Sequence, residues 1–241
     1  TTIERSAFKS CTGIKSVVVP ESVTDIQDWA FLNCTALCHI TLPQNLSHLG
    51  ESIVSSTAFY DNPDNWENGV LYIGKYLVDT SSQTTGKITV RDGTEKFSDY
   101  AFLSKRVITS VYIPDSVSDI GTGTFLNCKN LISITLDKTV NIGDEAFEYC
   151  NITNPITIPN TISTIGEYAF SEQQNEFGNI QVDTGTLALY FPDGAGAVME
   201  SYQDNYGTII VDRGSTMSIA ENQYLFNYGS ITNDGNLLIA A

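Results

Sequence analysis

Five cysteines, two histidines and 28 carboxylates are the side chains of this sequence whose types could support metal binding, thiol chemistry or acid-base catalysis. Cys11, Cys34, Cys128 and Cys150 each stand four residues after the first member of a recurring Ala-Phe or Thr-Phe pair, so a single repeated position sets all four. No Cys-x-x-Cys spacing occurs, and a metal or dithiol site usually needs such close pairs. A small thiol that returns with a repeat reads as an inward core residue. Cys38 stands outside the series, where other repeats carry Lys15, Ile132 or Asn154, and reads as a stray, partly exposed thiol. His39 and His48 fall on different faces of one repeat, with no nucleophile motif or third imidazole beside them.

The carboxylates point the same way. Asp25, Asp115 and Asp119 fall at turn positions, where solvation explains them better than a paired acid and base. The stretch Asp61-Asn62-Pro63-Asp64-Asn65-Trp66-Glu67-Asn68 is rich in oxygen donors but lacks the spacing of a dedicated calcium loop. Phosphate-binding, dinucleotide, Gly-x-Ser-x-Gly and His-Glu-x-x-His patterns do not occur. The expectation is therefore no catalytic residue, no metal and no cofactor.

Charge narrows the partners. With 12 basic residues against those 28 acidic ones, the net charge of -16 repels nucleic acid and anionic membrane surfaces. No apolar run approaches the length of a membrane span, so membrane insertion is not expected. The chain of 241 residues opens at Thr1 without a basic and apolar leader, which reads as a mature secreted product or an excised piece.

The elements that position these residues come from an internal repeat. Ala7-Phe8 returns as Ala30-Phe31, Ala101-Phe102, Thr124-Phe125, Ala146-Phe147 and Ala169-Phe170, at a constant step that is one residue shorter between Thr124 and Ala146. The long gap between Phe31 and Phe102, three steps and two residues more, holds an atypical stretch. At a constant phase each repeat carries an alternating run such as Val17-Val18-Val19, Ile40-Thr41-Leu42, Ile88-Thr89-Val90, Val111-Tyr112-Ile113, Ile134-Thr135-Leu136 or Ile156-Thr157-Ile158. Such runs predict strands with positions one and three inward and position two outward. An apolar return segment (Ile26, Leu49, Phe97, Ile120, Ile142, Ile165) follows each. Neither element can bury its apolar side alone, so the repeats must stack in parallel.

Two segments depart from the period. Residues 55–86 form an insertion in which Val70 to Ile73 and Tyr76 to Val78 flank Gly74-Lys75, predicting a hairpin over 70–78. Residues 193–241 predict a C-terminal cap: a short helix within Gly194 to Tyr206, with Val198, Tyr202 and Tyr206 on one face, then hairpins. One hairpin joins Ser230-Ile231-Thr232 to Leu237-Leu238-Ile239 around Asp234-Gly235. From Ser171 onward nine acidic residues face only Arg213.

The phrase Ile113-Pro114-Asp115-Ser116-Val117-Ser118-Asp119-Ile120-Gly121, with Thr124-Phe125-Leu126-Asn127-Cys128 after it, resembles the leucine-rich repeat of the BspA-like, or Treponema pallidum, type. The phrase stands again at Pro20 to Cys34 and at Pro159 to Phe170, and the resemblance covers residues 1–192. It implies an α/β leucine-rich-repeat solenoid: a right-handed, curved stack of parallel strands, mainly β with short helical or irregular return segments. The inserted hairpin and the C-terminal cap are additions to it. The resemblance also implies an extracellular protein, secreted or on a bacterial cell surface, of a kind often used in adhesion.

Binding residues are then expected where a rigid sheet faces outward. Position two of the strands offers Val18, Thr41, Thr89, Tyr112, Thr135, Thr157, Gln181 and Tyr190, a hydroxyl-rich and nearly neutral row. Threonine also serves strand propensity alone, and both readings stand at this point. The insertion offers Trp66, Tyr72 and Tyr76 as a second contact site, or as its own small core. The expected partner is a protein or glycan ligand held by a monomer; the alternative is a structural spacer within a larger surface protein.

Overall fold

The structure, a computed structural model, describes residues 1–81, 86–136, 138, 141–150, 152, 156–157, 164–169, 188–191, 196–199, 203–205, 208–211, 216–219, 225–227 and 230–239. The chain forms two compact units, one of Thr1–Thr84 with Glu95–Ala101 and one of Thr85–Thr94 with Phe102–Ala241. Both are built from coils of a mostly β leucine-rich-repeat solenoid. Among the described residues no helix is long and apolar enough to cross a membrane.

In the first unit Ser16–Val18 pairs in parallel with His39–Thr41, which sets Val17 beside Ile40 and Val18 beside Thr41. A second parallel ladder joins Thr2–Ile3, Asp25–Ile26 and His48–Leu49. Between the ladders each coil turns through its Ala-Phe pair, or through Ile53-Val54 in the third coil, flanked by two residues of positive φ: Ser6 and Ser10, Trp29 and Asn33, Ser52 and Ser56. A left-handed residue costs about 1–2 kcal/mol, and these turns offset that cost by aiming alternate N–H groups at the next coil. Ser6, Phe8 and Ser10 donate to the carbonyls of Asp28, Ala30 and Leu32 at 2.9, 2.8 and 2.8 Å. Inside, Ala30, Phe31, Cys34 and Leu37 are buried, and Phe8 stacks on Phe31 with centroids 5.2 Å apart.

The insertion belongs to this unit. Thr57 caps the short helix Ala58–Asp61 by accepting from the N–H of Tyr60, and Pro63 opens the 3-10 turn Pro63–Asn65. Trp66–Glu67, Val70–Ile73 and Tyr76–Thr80 then run antiparallel. Asn68-Gly69, with φ of 52° and 81°, makes the first turn, and Gly74, with φ of 60°, opens the second. Lys96–Phe97 pairs in parallel with Tyr76–Leu77, which returns the chain to the stack.

In the second unit Gly86–Thr89, Ile108–Ile113 and Ser133–Leu136 form one parallel sheet. Asp119–Ile120, Asn141–Ile142 and Thr164–Ile165 form another, which continues through Gly196–Met199, Thr216–Ile219 and Asn236–Ile239. A third joins Ile156–Thr157, Ala188–Phe191, Thr208–Val211 and Ser230–Asn233. Phe102, Phe125 and Phe147 stack in a column with centroid spacings of 4.8 and 5.3 Å.

The tail therefore departs from the expected cap. Where a helix was expected, Gly196–Met199 and Gln203–Asn205 are strands, while Tyr202 and Tyr206 lie outside the described residues. Gly196–Met199 pairs in parallel along its whole length with Thr216–Ile219 and through Val198 and Met199 with Thr164–Ile165, and that tertiary gain outweighs a local helical spacing. The hairpin around Asp234-Gly235 does not form either. Ser230–Asn233 pairs with Thr208–Val211 and Asn236–Ile239 with Thr216–Ile219, both in parallel. Asp234 and Gly235 both donate to the Val211 carbonyl, at 2.9 and 3.1 Å, so this turn is a corner bonded to the previous coil.

Candidate functional site

The outward row depends on strand alternation. In the second unit Ile88, Val111 and Ile134 are buried at position one, and Val90, Ile113 and Leu136 at position three. Position two then faces solvent, and the register sets Thr89, Tyr112 and Thr135 directly side by side. Parallel neighbours sit about 4.8 Å apart, so the three side chains form one continuous row. Thr89 and Thr135 are exposed, and Tyr112 is 42% exposed. Lys87, Ser110 and Ser133 make a second row one pleat away, in which Lys87 is the only formal charge. The first unit carries a shorter version, with Val18 beside Thr41 and Ser16 beside His39, all exposed. The backbones of Thr157 and Tyr190 are also in register with each other. Gln181 lies outside the described residues.

The insertion aromatics do not form a contact surface. Tyr72 and Tyr76 are buried, and Trp66 is half-buried. All four residues of Val70–Ile73 are buried, so this hairpin is covered on both faces rather than protruding. The Tyr76 hydroxyl donates to the Pro43 carbonyl at 2.8 Å and accepts from the Leu46 N–H at 3.1 Å. Trp66 meets Tyr60 edge-on and donates from Nε1 to the Tyr60 carbonyl at 2.7 Å. Tyr76 lies in one buried cluster with the coils and staples the insertion to the second coil, Trp66 packs against that cluster, and Tyr72 is buried in its strand.

Titratable side chains are engaged in the stack. His48 lies between two carboxylates, with Nδ1 2.9 Å from Asp25 Oδ1 and Nε2 2.9 Å from Asp99 Oδ2. The bond to Asp99 raises its pKa to about 9, with Asp25 adding to the rise and burial opposing it. Both ring nitrogens are occupied, so the ring is a cationic clamp and has no lone pair left for base catalysis. Asp25 stands one repeat before His48, at the same phase, which is a signal the sequence carries. Asp99 arrives through the insertion, and no spacing foretells it.

Three of the five cysteines obey one pattern. Cys34, Cys128 and Cys150 donate from Sγ to the carbonyls of Phe8, Phe102 and Phe125, each at 3.0 Å. Burial raises the Cys34 thiol, and burial beside Cys128 raises that of Cys150. Cys38 is exposed, 3.1 Å from His39 Nδ1, and donates a hydrogen bond to the Lys15 carbonyl at 3.4 Å. Glu145 and Glu148 are crowded carboxylates; burial, then the Glu145 charge, raises Glu148 to about 7. They share one turn, Glu148 N–H donating to the Glu145 carbonyl, and so do not face each other across a cleft. In the insertion loop Asn62 accepts from the Asp64 N–H and Asn65 donates to the Phe59 carbonyl, which uses these polar groups for turn formation.

The BspA type leucine-rich repeat region matches this chain in six copies, over residues 1–76 and 65–176. Among solved structures the chain is similar to a leucine-rich repeat protein from Bacteroides ovatus, at 17% identity and a TM-score of 0.42. The similarity covers 99% of this chain and 66% of that one, so this chain spans just under two thirds of that protein. No curated protein matches. The strand, the Ala-Phe turn and the buried ladder recur through both matched spans, and the chain belongs to the BspA type leucine-rich repeat family.

Proposed function

We propose that this chain is a non-enzymatic recognition module of a secreted or bacterial surface protein, which holds a protein or glycan ligand against its outward strand rows. The observation that carries this reading is the register of Thr89, Tyr112 and Thr135, an exposed aromatic ring between two exposed hydroxyls on a buried aliphatic support. A row fixed by the sheet is ordered before it meets a ligand, so little side-chain entropy is lost on binding. The row carries no carboxylate, although the chain as a whole is strongly acidic. Contacts there depend on hydrogen bonds and ring stacking, and raising the salt from about 0.05 to 0.5 M should leave affinity nearly unchanged.

The test is a binding screen of the intact chain, acting as a monomer, against immobilised matrix proteins and a glycan array. Any ligand found is then measured against Tyr112→Asp and Thr135→Asp. The expected result is a loss of affinity of about tenfold or more for Tyr112→Asp, with the folded signal by circular dichroism retained. Affinity that survives both substitutions removes the ligand from this row. An empty screen favours the reading of the coils as a spacer.

A further inference from the structure

We propose that the turns around Arg106 and Lys129 form a cationic rim on the second unit, which binds a polysaccharide bearing anionic groups along its chain. The rim lies in the turns that precede the strands Ile108–Ile113 and Ser133–Leu136, and it does not depend on the Thr89-Tyr112-Thr135 row holding a ligand. The first observation is where negative charge is missing. In a chain of net charge -16, no Asp or Glu occurs from Gly86 to Arg91, from Phe102 to Pro114 or from Thr124 to Leu136, whereas Lys87, Arg91, Lys105, Arg106 and Lys129 all fall there. Charges more than about 8 Å away are largely screened at physiological salt, so the local sign decides what this surface attracts.

Arg106 and Lys129 stand one repeat apart at the same phase, in neighbouring coils. Their turns are stapled to each other. The Asn127 amide donates to the Ser104 hydroxyl at 2.8 Å, and the Asn130 amide donates to the Arg106 carbonyl. On the other side the Gly86 N–H donates to the Val107 carbonyl at 2.9 Å, which brings in Lys87 from the strand Gly86–Thr89. Like charges held side by side repel, and the fold does not require them here, since the same phase carries Thr12 and Thr35 in the first unit. Lys87, Arg106 and Lys129 are exposed, and among the described residues none of the three is paired with a carboxylate. Their charge is therefore available to a ligand.

Spacing selects the occupant. Coils stacked in parallel advance by about 4.8 Å, which is close to the advance of one sugar ring along an extended polysaccharide. Side chains on one face of an extended acidic peptide stand about 6.6 Å apart, so its carboxylates fall out of step with the coils. Val107, 47% exposed beside Arg106, offers support to the apolar face of a sugar ring.

The experiment measures binding of dextran sulfate, polygalacturonate and uncharged dextran to the intact chain by calorimetry, at about 0.05 and 0.5 M salt. At least one of the two anionic polymers should bind and dextran should not, with affinity falling by about tenfold or more at the higher salt. Binding by the first identifies sulfate, and by the second carboxylate, as the group the rim takes. Arg106→Glu with Lys129→Glu should lower the affinity by about tenfold or more, and Arg106→Gln with Lys129→Gln by a smaller factor, each with the circular dichroism of the parent. Lys9→Glu with Lys15→Glu makes the same change of net charge in the first unit and should leave affinity within about twofold. Equal losses from the two double reversals overturn the rim, because net charge alone is then felt. Binding of neither anionic polymer overturns it too, as does a polyglutamate or a DNA duplex that binds as tightly. Tyr112→Ala separates the rim from the strand row: if that substitution abolishes binding, the glycan sits on the row, which overturns the rim and supports the row.

Discussion

His48 and Asp99 lie 51 residues apart in sequence and 2.9 Å apart in space, with the whole insertion between them. The contact is one of three at this joint. Asp99 N–H donates to the Leu49 carbonyl at 2.9 Å, and the Ser98 hydroxyl donates to the carbonyl of Gly50. Where the chain leaves the stack and where it returns are therefore tied at the same point. The charge on His48 is what the two carboxylates recognise.

The first prediction follows from that charge. Asp25 and Asp99 face the ring directly, the Gln27 amide lies 3.5 Å from Nδ1, and Glu51 feels the Asp99 charge. The folded-state pKa of about 9 lies above the ordinary 6.5. Stability from this clamp is then fully present below about pH 6.5 and lost as pH rises through about 9. At a partly exposed site, screening reduces the contribution to about 1 kcal/mol. Urea unfolding at pH 6 and pH 9.5 should show a larger loss in the parent chain than in His48→Gln, which keeps only the part due to the raised Glu148, Cys34 and Cys150. Equal pH dependence in both chains would place the clamp's energy elsewhere.

Tyr76→Phe isolates a second anchor. The hydroxyl serves two backbone groups of the second coil, the Pro43 carbonyl and the Leu46 N–H, and the ring is 2% exposed. Removing one oxygen leaves both buried groups without that partner, which costs about 1–3 kcal/mol. Chemical denaturation should show this cost with the slope against denaturant unchanged. A loss below about 0.5 kcal/mol would mean that water replaces the hydroxyl.

What the sequence disclosed depends on the distance over which each feature acts. Ile113 and Thr135 were legible as inward and outward because alternation is a property of three neighbouring residues. Cys34 and Cys128 were legible because the repeat samples one position many times. Tyr76 was not, since its partners lie 30 and 33 residues away across an insertion that occurs once. Asp234-Gly235 misled for a different reason. A tight turn and a solenoid corner ask for the same residues, and only the Val211 carbonyl of the previous coil distinguishes them. The helix expected over 194–206 rested on three spaced apolar residues, whereas strands that begin at the evenly spaced Gly196, Thr216 and Asn236 decide the outcome.

Gly50 and Gly74 separate two uses of glycine. A Cβ on Gly50 would come within 2.5 Å of the Asp28 backbone nitrogen, so the coil spacing itself must give way. At Gly74 nothing lies within 4 Å, and the constraint is the φ of 60°. Alanine at Gly50 should cost about 1–3 kcal/mol by overpacking, and alanine at Gly74 about 1–2 kcal/mol by backbone conformation. Asparagine tells them apart, because it tolerates a left-handed backbone but brings the same Cβ. Gly74→Asn should recover most of the loss and Gly50→Asn none, as read from midpoints of thermal unfolding.

Thiol reactivity gives the last prediction. Alkylation requires the thiolate and access to it. Cys34 and Cys128 are fully buried and donate hydrogen bonds to carbonyls of the preceding coil, and the Cys150 thiol is raised by burial and by Cys128. Cys38 is exposed, at the edge of the strand His39–Thr41. Mass spectrometry after brief iodoacetamide treatment of the native chain should find Cys38 modified first, Cys11 next, and Cys34, Cys128 and Cys150 only on unfolding. Rapid modification of Cys128 at neutral pH would mean that the coils part locally between Phe102 and Cys128. In that case the hydrogen bond between them does not hold the ladder closed, and Cys128→Ser would leave stability unchanged.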